Sequence, residues 1–240
     1  MESSTSKAPR LVNWAGYLSL AMLLILPVSV LAARTGAWQP ALLIYAIAVL
    51  GSALLLVVAI VLLVMPRMAA WRTNITLNML FAFPGTLLFI TMLNAGDYPT
   101  IHDITTDTDE PPLFVMAEQV RGPDSNTLAI KPDSILQQRD AYPELSGLES
   151  SLAPSAAFDR ALVVARELEW EIYHEDRDAG IIEAVDTTSF MAFKDDVVIR
   201  IRPQQGGSLL DLRSVSRVGK GDIGANAKRI NAFIVAFTGS

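Results

Sequence analysis

Residues 40–65 read PALLIYAIAVLGSALLLVVAIVLLVM, 26 consecutive positions without a charge. A run longer than about 20 apolar residues can cross a hydrocarbon core as one helix, and a wholly water-soluble chain has no use for it. Working outward, 11–33 is a second run of 23 residues and 75–93 a third of 19, both also uncharged. Three N-terminal transmembrane helices (11–33, 40–65 and 75–93) are therefore expected in a membrane domain covering 1–96, with the lipid bilayer as its first partner.

The charges between the runs predict orientation. Lys7 and Arg10 precede the first run, and Arg67 and Arg72 lie between the second and third. Arg34 alone separates the first two, and no Lys or Arg follows the third until Arg121. The positive-inside rule puts the N-terminus in the cytoplasm and, after three crossings, residues 98–240 outside. Trp14 and Trp71 fall at the inner ends and Trp38 and Tyr98 at the outer ends, where interfacial aromatics belong. The first run exceeds the roughly 7–15 residues of a signal-peptide core and reads as an uncleaved anchor; cleavage would leave the C-terminal residues outside all the same. Asn78, Pro84 and Gly85 interrupt the third run, and with no charge beside them they read as helix packing rather than a transport path. Asn74-Ile75-Thr76 fits a glycosylation sequon but falls on the expected cytoplasmic side.

Residues 1–96 carry five Lys or Arg against Glu2 alone, whereas 97–240 carry 14 basic and 24 acidic residues. An acidic exterior lacks the footprint that nucleic acid requires, so no nucleic-acid partner is expected. With no cysteine in the chain there is no disulfide, thiolate metal site or thiol nucleophile.

Prolines at 99, 111, 112, 123, 132, 143 and 154 punctuate 97–154 and predict an extended strap, its apolar residues (Ile101, Ile104, Leu113, Phe114, Val115) laid over the domain. From 155 the pattern becomes regular and predicts an α+β core, 155–240. Phe158, Ala161, Leu162, Ala165 and Leu168 recur at helical spacing. Strands are expected at 170–174, 180–186, 190–193, 196–202 and 209–218. A closing helix capped by Asp222 then carries Ile223, Ala227, Ile230, Ile234 and Phe237 as its stripe. The expected fold class is α+β: a small antiparallel sheet with two helices on one face. Alternation of Val197, Ile199 and Ile201 with Arg200 and Arg202, and of Leu210 and Leu212 with Asp211 and Arg213, specifies a hairpin turning at Gln205-Gly206. Ile201 then faces Leu210, Ile199 faces Leu212 and Arg200 faces Asp211, since a one-residue slip would mix the faces.

Motifs for known chemistries are incomplete. Gly219-Lys220-Gly221-Asp222-Ile223-Gly224 matches G-x-G-x-x-G, but the 16 residues that follow leave no room for the second parallel strand of a nucleotide fold. No nucleotide or other cofactor is expected. Asp107-Thr108-Asp109 with Glu118 mimics a calcium loop, but Pro111 and Pro112 stand where a ligand and a Gly belong. Two histidines, His102 and His174, make a poor metal set, so no metal site is expected.

Four blocks do match a pattern: His102–Asp107 with Pro111-Pro112-Leu113-Phe114; Asp195–Arg200; Asp211–Gly219; and Asp222–Ile230. They resemble the domain of unknown function 1499 over about 98–237, in the multi-span bacterial form, which implies a bacterial inner membrane with a periplasmic C-terminal domain. The resemblance implies no reaction and no catalytic residue, and this chain lacks the cysteine-containing segment that precedes the domain in many members. It directs attention to Arg213, Ser214, Ser216, Arg217, Asp222 and Asn226. With Arg200 and Arg202 these make the expected ligand-binding set, a charged sheet face beside a helix start that could take an anion or an envelope protein. The expected function is a non-enzymatic membrane-anchored module that binds a partner or anionic ligand or serves as an envelope scaffold. The alternative is a periplasmic hydrolase built on His102, Asp103, Asp195 and Asp196.

Overall fold

A computed structural model describes residues 8–93, 96 and 98–239. Lys7 and Glu2, used above in the charge argument, lie outside the described residues. The chain divides into two compact units, Met1–Gly96 and Asp97–Ser240.

The first unit is three helices, α1 (Arg10–Arg34), α2 (Trp38–Val64) and α3 (Arg72–Leu93), with a 3-10 turn at Pro66–Trp71 between the last two. All three are long and apolar enough to cross a membrane. Many of the inward positions are small, the pattern of helices packed in lipid, where close backbone approach contributes to association, and Val12, Leu62 and Ile75 form a buried cluster beside them. Ala15, Ser19, Ala41, Ala48, Ser52 and Ala82 are buried, while Leu24, Leu43, Leu54 and Leu80 are exposed. Asn78 donates from Nδ2 to the Val12 carbonyl at 2.9 Å. The facing position is Gly16, where a Cβ would collide with the Asn78 amide. Asn78 thus fastens α3 to α1, the packing role expected of it.

The second unit is an antiparallel sheet of six strands under two helices, α+β as expected. Its strands are β1 (Asp103–Thr105), β2 (Leu148–Ser150), β3 (Glu171–Asp176), β4 (Ile181–Thr187), β5 (Lys194–Gln204) and β6 (Gly207–Ser216). They run in the order β1-β6-β5-β4-β3, with β2 also on β6. The β5–β6 register is the one the alternation specifies: Ile199↔Leu212, Arg200↔Asp211, Ile201↔Leu210. Its two-residue turn is Gln205-Gly206, and Gly206 takes the positive φ of 89° that the tight reversal requires.

Helices α6 (Pro154–Glu167) and α7 (Ala225–Thr238) cover one face. Phe158, Leu162, Ile230, Phe233 and Phe237 pack there on Ile182, Val197, Ile199, Leu210 and Leu212. Burying a side chain of this size is worth about 1.5–3 kcal/mol, so this layer holds the domain together.

Two local expectations are corrected. Residues 190–193 are not a strand; they lie in the β4–β5 loop, where the Thr188 amide donates to the Phe193 carbonyl, the Phe193 amide donates to Thr188 Oγ1, and Ala192 has a φ of 55°. The 97–154 segment is not extended throughout. It contributes β1 and β2, a one-turn helix α4 (Ala117–Val120) and a ten-residue helix α5 (Pro132–Ala141). Pro132 at the first helical position and Asp133 in the first turn are the start signal. From α5, Gln138 accepts from the Thr105 amide and donates to the Thr105 carbonyl, closing the outer edge of β1.

Candidate functional site

The eight expected site residues do not share one surface, because alternation along β6 sends them to opposite faces of the sheet. Arg200, Arg202, Arg213 and Arg217 point away from the helices; Ser214 and Ser216 lie beneath α7 on the side of Leu212, where Asn226, in the first turn of α7, bonds to both. Asp222 sits at the start of α7.

Strap residues cover the first face. Arg213, 1% exposed, makes a two-pronged pair with Asp103, Nε to Oδ1 at 2.9 Å and Nη2 to Oδ2 at 2.7 Å. Its remaining donors go to the carbonyls of Pro112 and Leu128. Arg217 forks onto Asp196 at 3.0 and 2.7 Å, and Arg121 reaches the same carboxylate at 2.9 Å. Arg200 and Arg202 share Asp107 and Asp211 at 2.8–3.1 Å. Glu183 accepts from the Val115 and Met116 amides. A bulge in β3 at Ile172/His174 brings Tyr173 beside this cluster. The cationic face read from the sequence is therefore an internal ion-pair layer between sheet and strap.

The pKa shifts follow from these partners. Burial works against the charge on Arg217, yet bonding and attraction to Asp196 outweigh it and raise its pKa. Arg202 is raised in the same way, burial being outweighed by Asp211. Arg121 is lowered, by burial first, Asp196 only partly offsetting it beside Arg217. Burial would raise Asp107, but amide donations from Glu110 and Asp109 and the charges of Arg200 and Arg202 leave it lowered. Burial, then Asp196 and Glu183, push the Tyr173 hydroxyl far up.

On the helix face Asn226 is the hub. Its Oδ1 accepts from Ser214 Oγ and Arg229 Nη1, both at 2.6 Å, and its Nδ2 donates to the His102 carbonyl and Ser216 Oγ. Arg229 also donates from Nε to Asp186 at 2.6 Å and from Nη2 to Asp195 at 2.5 Å. Burial raises the Asp195 carboxyl despite the Arg229 charge. Asp222 accepts from the Gly224 and Asn226 amides at 2.9 Å, so the helix start is occupied by the chain's own carboxylate. The helix begins two residues later than its expected cap, at Gly224 with a φ of 75°.

The hydrolase set is dispersed. His102 Nδ1 lies 3.3 Å from the Lys220 carbonyl, Asp103 is forked on Arg213, and Asp195 and Asp196 point to opposite faces. Each of the three carboxylates is already paired with an arginine of the domain, Asp103 with Arg213, Asp195 with Arg229 and Asp196 with Arg217. Among the described residues no group of three or more His, Asp or Glu side chains converges to hold a metal. Sequence reasoning passed over Arg121, Asp186 and Arg229; the signal for Arg229 was an arginine inside the apolar stripe of α7, three residues after Asn226.

Fold and polar layers together define a class: an antiparallel α+β domain with ion pairs on one face and an Asn-centred network on the other, following three membrane-length helices. The chain belongs to the protein family of unknown function DUF1499, whose model matches residues 103–237. Comparison with curated proteins returns no match.

Proposed function

We propose that the chain is a non-enzymatic, membrane-anchored docking module, its C-terminal domain standing in the periplasm of a bacterium and its N-terminus in the cytoplasm. The observation that carries this reading is the construction of the strap. Leu113 and Val115 are turned outward, 65% and 59% exposed, while the amides of Val115 and Met116 are fixed from beneath by Glu183. Apolar side chains on a braced backbone lose little entropy on meeting a partner, which favours a protein surface with an apolar patch. The anionic-ligand reading draws less support, since Arg200, Arg202, Arg213 and Arg217 each hold a carboxylate of the domain itself.

The test is co-purification from membranes in mild detergent, comparing wild type with Leu113→Asp/Val115→Asp. Loss of associated envelope proteins from a folded variant is the expected result. An unchanged set of associated proteins overturns the docking role of the strap.

A further inference from the structure

One end of the three-helix unit gathers positive charge. Val12 of α1, Leu62 of α2 and Ile75 of α3 pack in one buried cluster, with Met65 and Met68 against it. The start of α1, the end of α2 and the start of α3 therefore meet there. Arg10, Arg67 and Arg72 stand beside these residues in the chain, and all three are exposed. No Asp or Glu occurs between residues 3 and 96 to balance them. Trp14, early in α1, is exposed beside Tyr17, and aromatics of this kind gather at headgroup depth.

At this end the outer side of α3 carries a groove of about 580 Å3, lined by Arg72, Thr73, Asn74, Thr76, Leu77 and Leu80. All six are exposed, whereas Ile75 and Asn78 between them face into the bundle. The groove therefore opens outward, where lipid would lie. Arg72 is its one charge, Thr73, Asn74 and Thr76 offer two hydroxyls and an amide, and leucines follow at 77 and 80. At the rise of an α-helix, Leu80 lies about 12 Å along the axis from Arg72. A cation, then uncharged hydrogen-bonding groups, then apolar surface is the order that matches a phospholipid from phosphate to acyl chain.

We propose that this groove binds an anionic phospholipid, its phosphate on Arg72, its headgroup hydroxyls on Thr73, Asn74 and Thr76, and an acyl chain along Leu77 and Leu80. A guanidinium forks onto phosphate oxygens. A zwitterionic lipid would bring an ammonium to an end of the unit that holds three arginines and no carboxylate, and gains less. A soluble phosphate ester would forgo the apolar contact. Leu113 and Val115 take no part, so this proposal and the docking reading stand or fall independently.

The experiment is native mass spectrometry of the full chain in mild detergent. The probes are phosphatidylglycerol, phosphatidylcholine with the same acyl chains, and glycerol phosphate. One phosphatidylglycerol is expected to bind saturably, about fivefold tighter than phosphatidylcholine, with no glycerol phosphate retained. Arg72→Gln is expected to lose about fivefold in phosphatidylglycerol affinity and with it the preference. Arg34→Gln, at the far end of α1, should keep the preference. If Arg72→Gln does not fold, Thr76→Glu, which places an acid in the groove, decides by the same loss. Equal binding of the two lipids, glycerol phosphate bound as tightly as phosphatidylglycerol, a preference unaltered in the groove variant, or an equal loss in Arg34→Gln overturns the proposal.

Discussion

At the scale of the residue, the molecule turns on arginines whose charge is spent inside the fold. Arg213 illustrates the energetics. Truncating it would leave Asp103 unpaired together with the carbonyls of Pro112 and Leu128. Removing one partner of a buried pair costs about 3–5 kcal/mol, so Arg213→Ala is expected to lose that much in a urea pulse-proteolysis titration of the full chain. Asp103→Leu combined with Arg213→Met should recover part of the loss, because no lone charge then remains. Acid is expected to act at Asp107. Its folded pKa is depressed, so its contribution is complete above the unfolded carboxylate range near about 4 and is lost as pH falls through the lower folded value. Asp195 has the opposite sign. Its pKa is raised, so its penalty is absent at low pH and grows as pH rises from the unfolded value through the folded one. Asp107→Asn should therefore unfold at lower urea than wild type at neutral pH and converge with it in acid; parallel curves would rule out Asp107 as the source. These arginines were visible in the sequence as a set, but their surroundings were not. Alternation tells which face a side chain takes, and nothing in the period of β6 tells that a segment a hundred residues upstream will cover it.

At the scale of the element, legibility follows the range of the interaction. The β5–β6 hairpin was readable because its register depends on local alternation and a two-residue turn. Helices α6 and α7 were readable from their stripes. Helix α5 was not, because Pro-rich surroundings and a mean hydropathy dominated by polar residues hide a ten-residue helix whose buried member is one glutamine. The β3–β4 turn offers a direct test. Gly180 has a φ of 68°, its amide bonds to the Arg177 carbonyl, and its own carbonyl accepts from Ile201. A Cβ there would strike the Ile201 carbonyl. Left-handed backbone alone costs a non-glycine residue about 1–2 kcal/mol, so Gly180→Ala should lose about 2 kcal/mol or more by the same titration. Gly122→Ala is the control: open space surrounds that position, and its effect should stay within about 0.5 kcal/mol.

At the scale of the whole molecule, the two compact units differ in character: three helices long and apolar enough to cross a membrane precede an α+β domain. The three helices bury small residues, a few large apolar ones such as Val12, Leu62 and Ile75, and the Asn78 amide, and present many leucines outward, which suits residence in lipid. The orientation proposed for them is testable because the chain contains no cysteine, so each introduced thiol reports alone. Thr35 lies between α1 and α2, Ala69 in the 3-10 turn between α2 and α3, and Asp124 in the strap; all three are exposed. Three crossings put the first and third of these on one side and the second on the other. Arg67 and Arg72 near Ala69, against Arg34 alone near Thr35, set which side is cytoplasmic. In intact spheroplasts a membrane-impermeant maleimide should label Thr35→Cys and Asp124→Cys, and label Ala69→Cys only after lysis. Labelling of Ala69→Cys alone would invert the orientation, placing the acidic domain and its strap in the cytoplasm and removing envelope proteins from the partners it could meet.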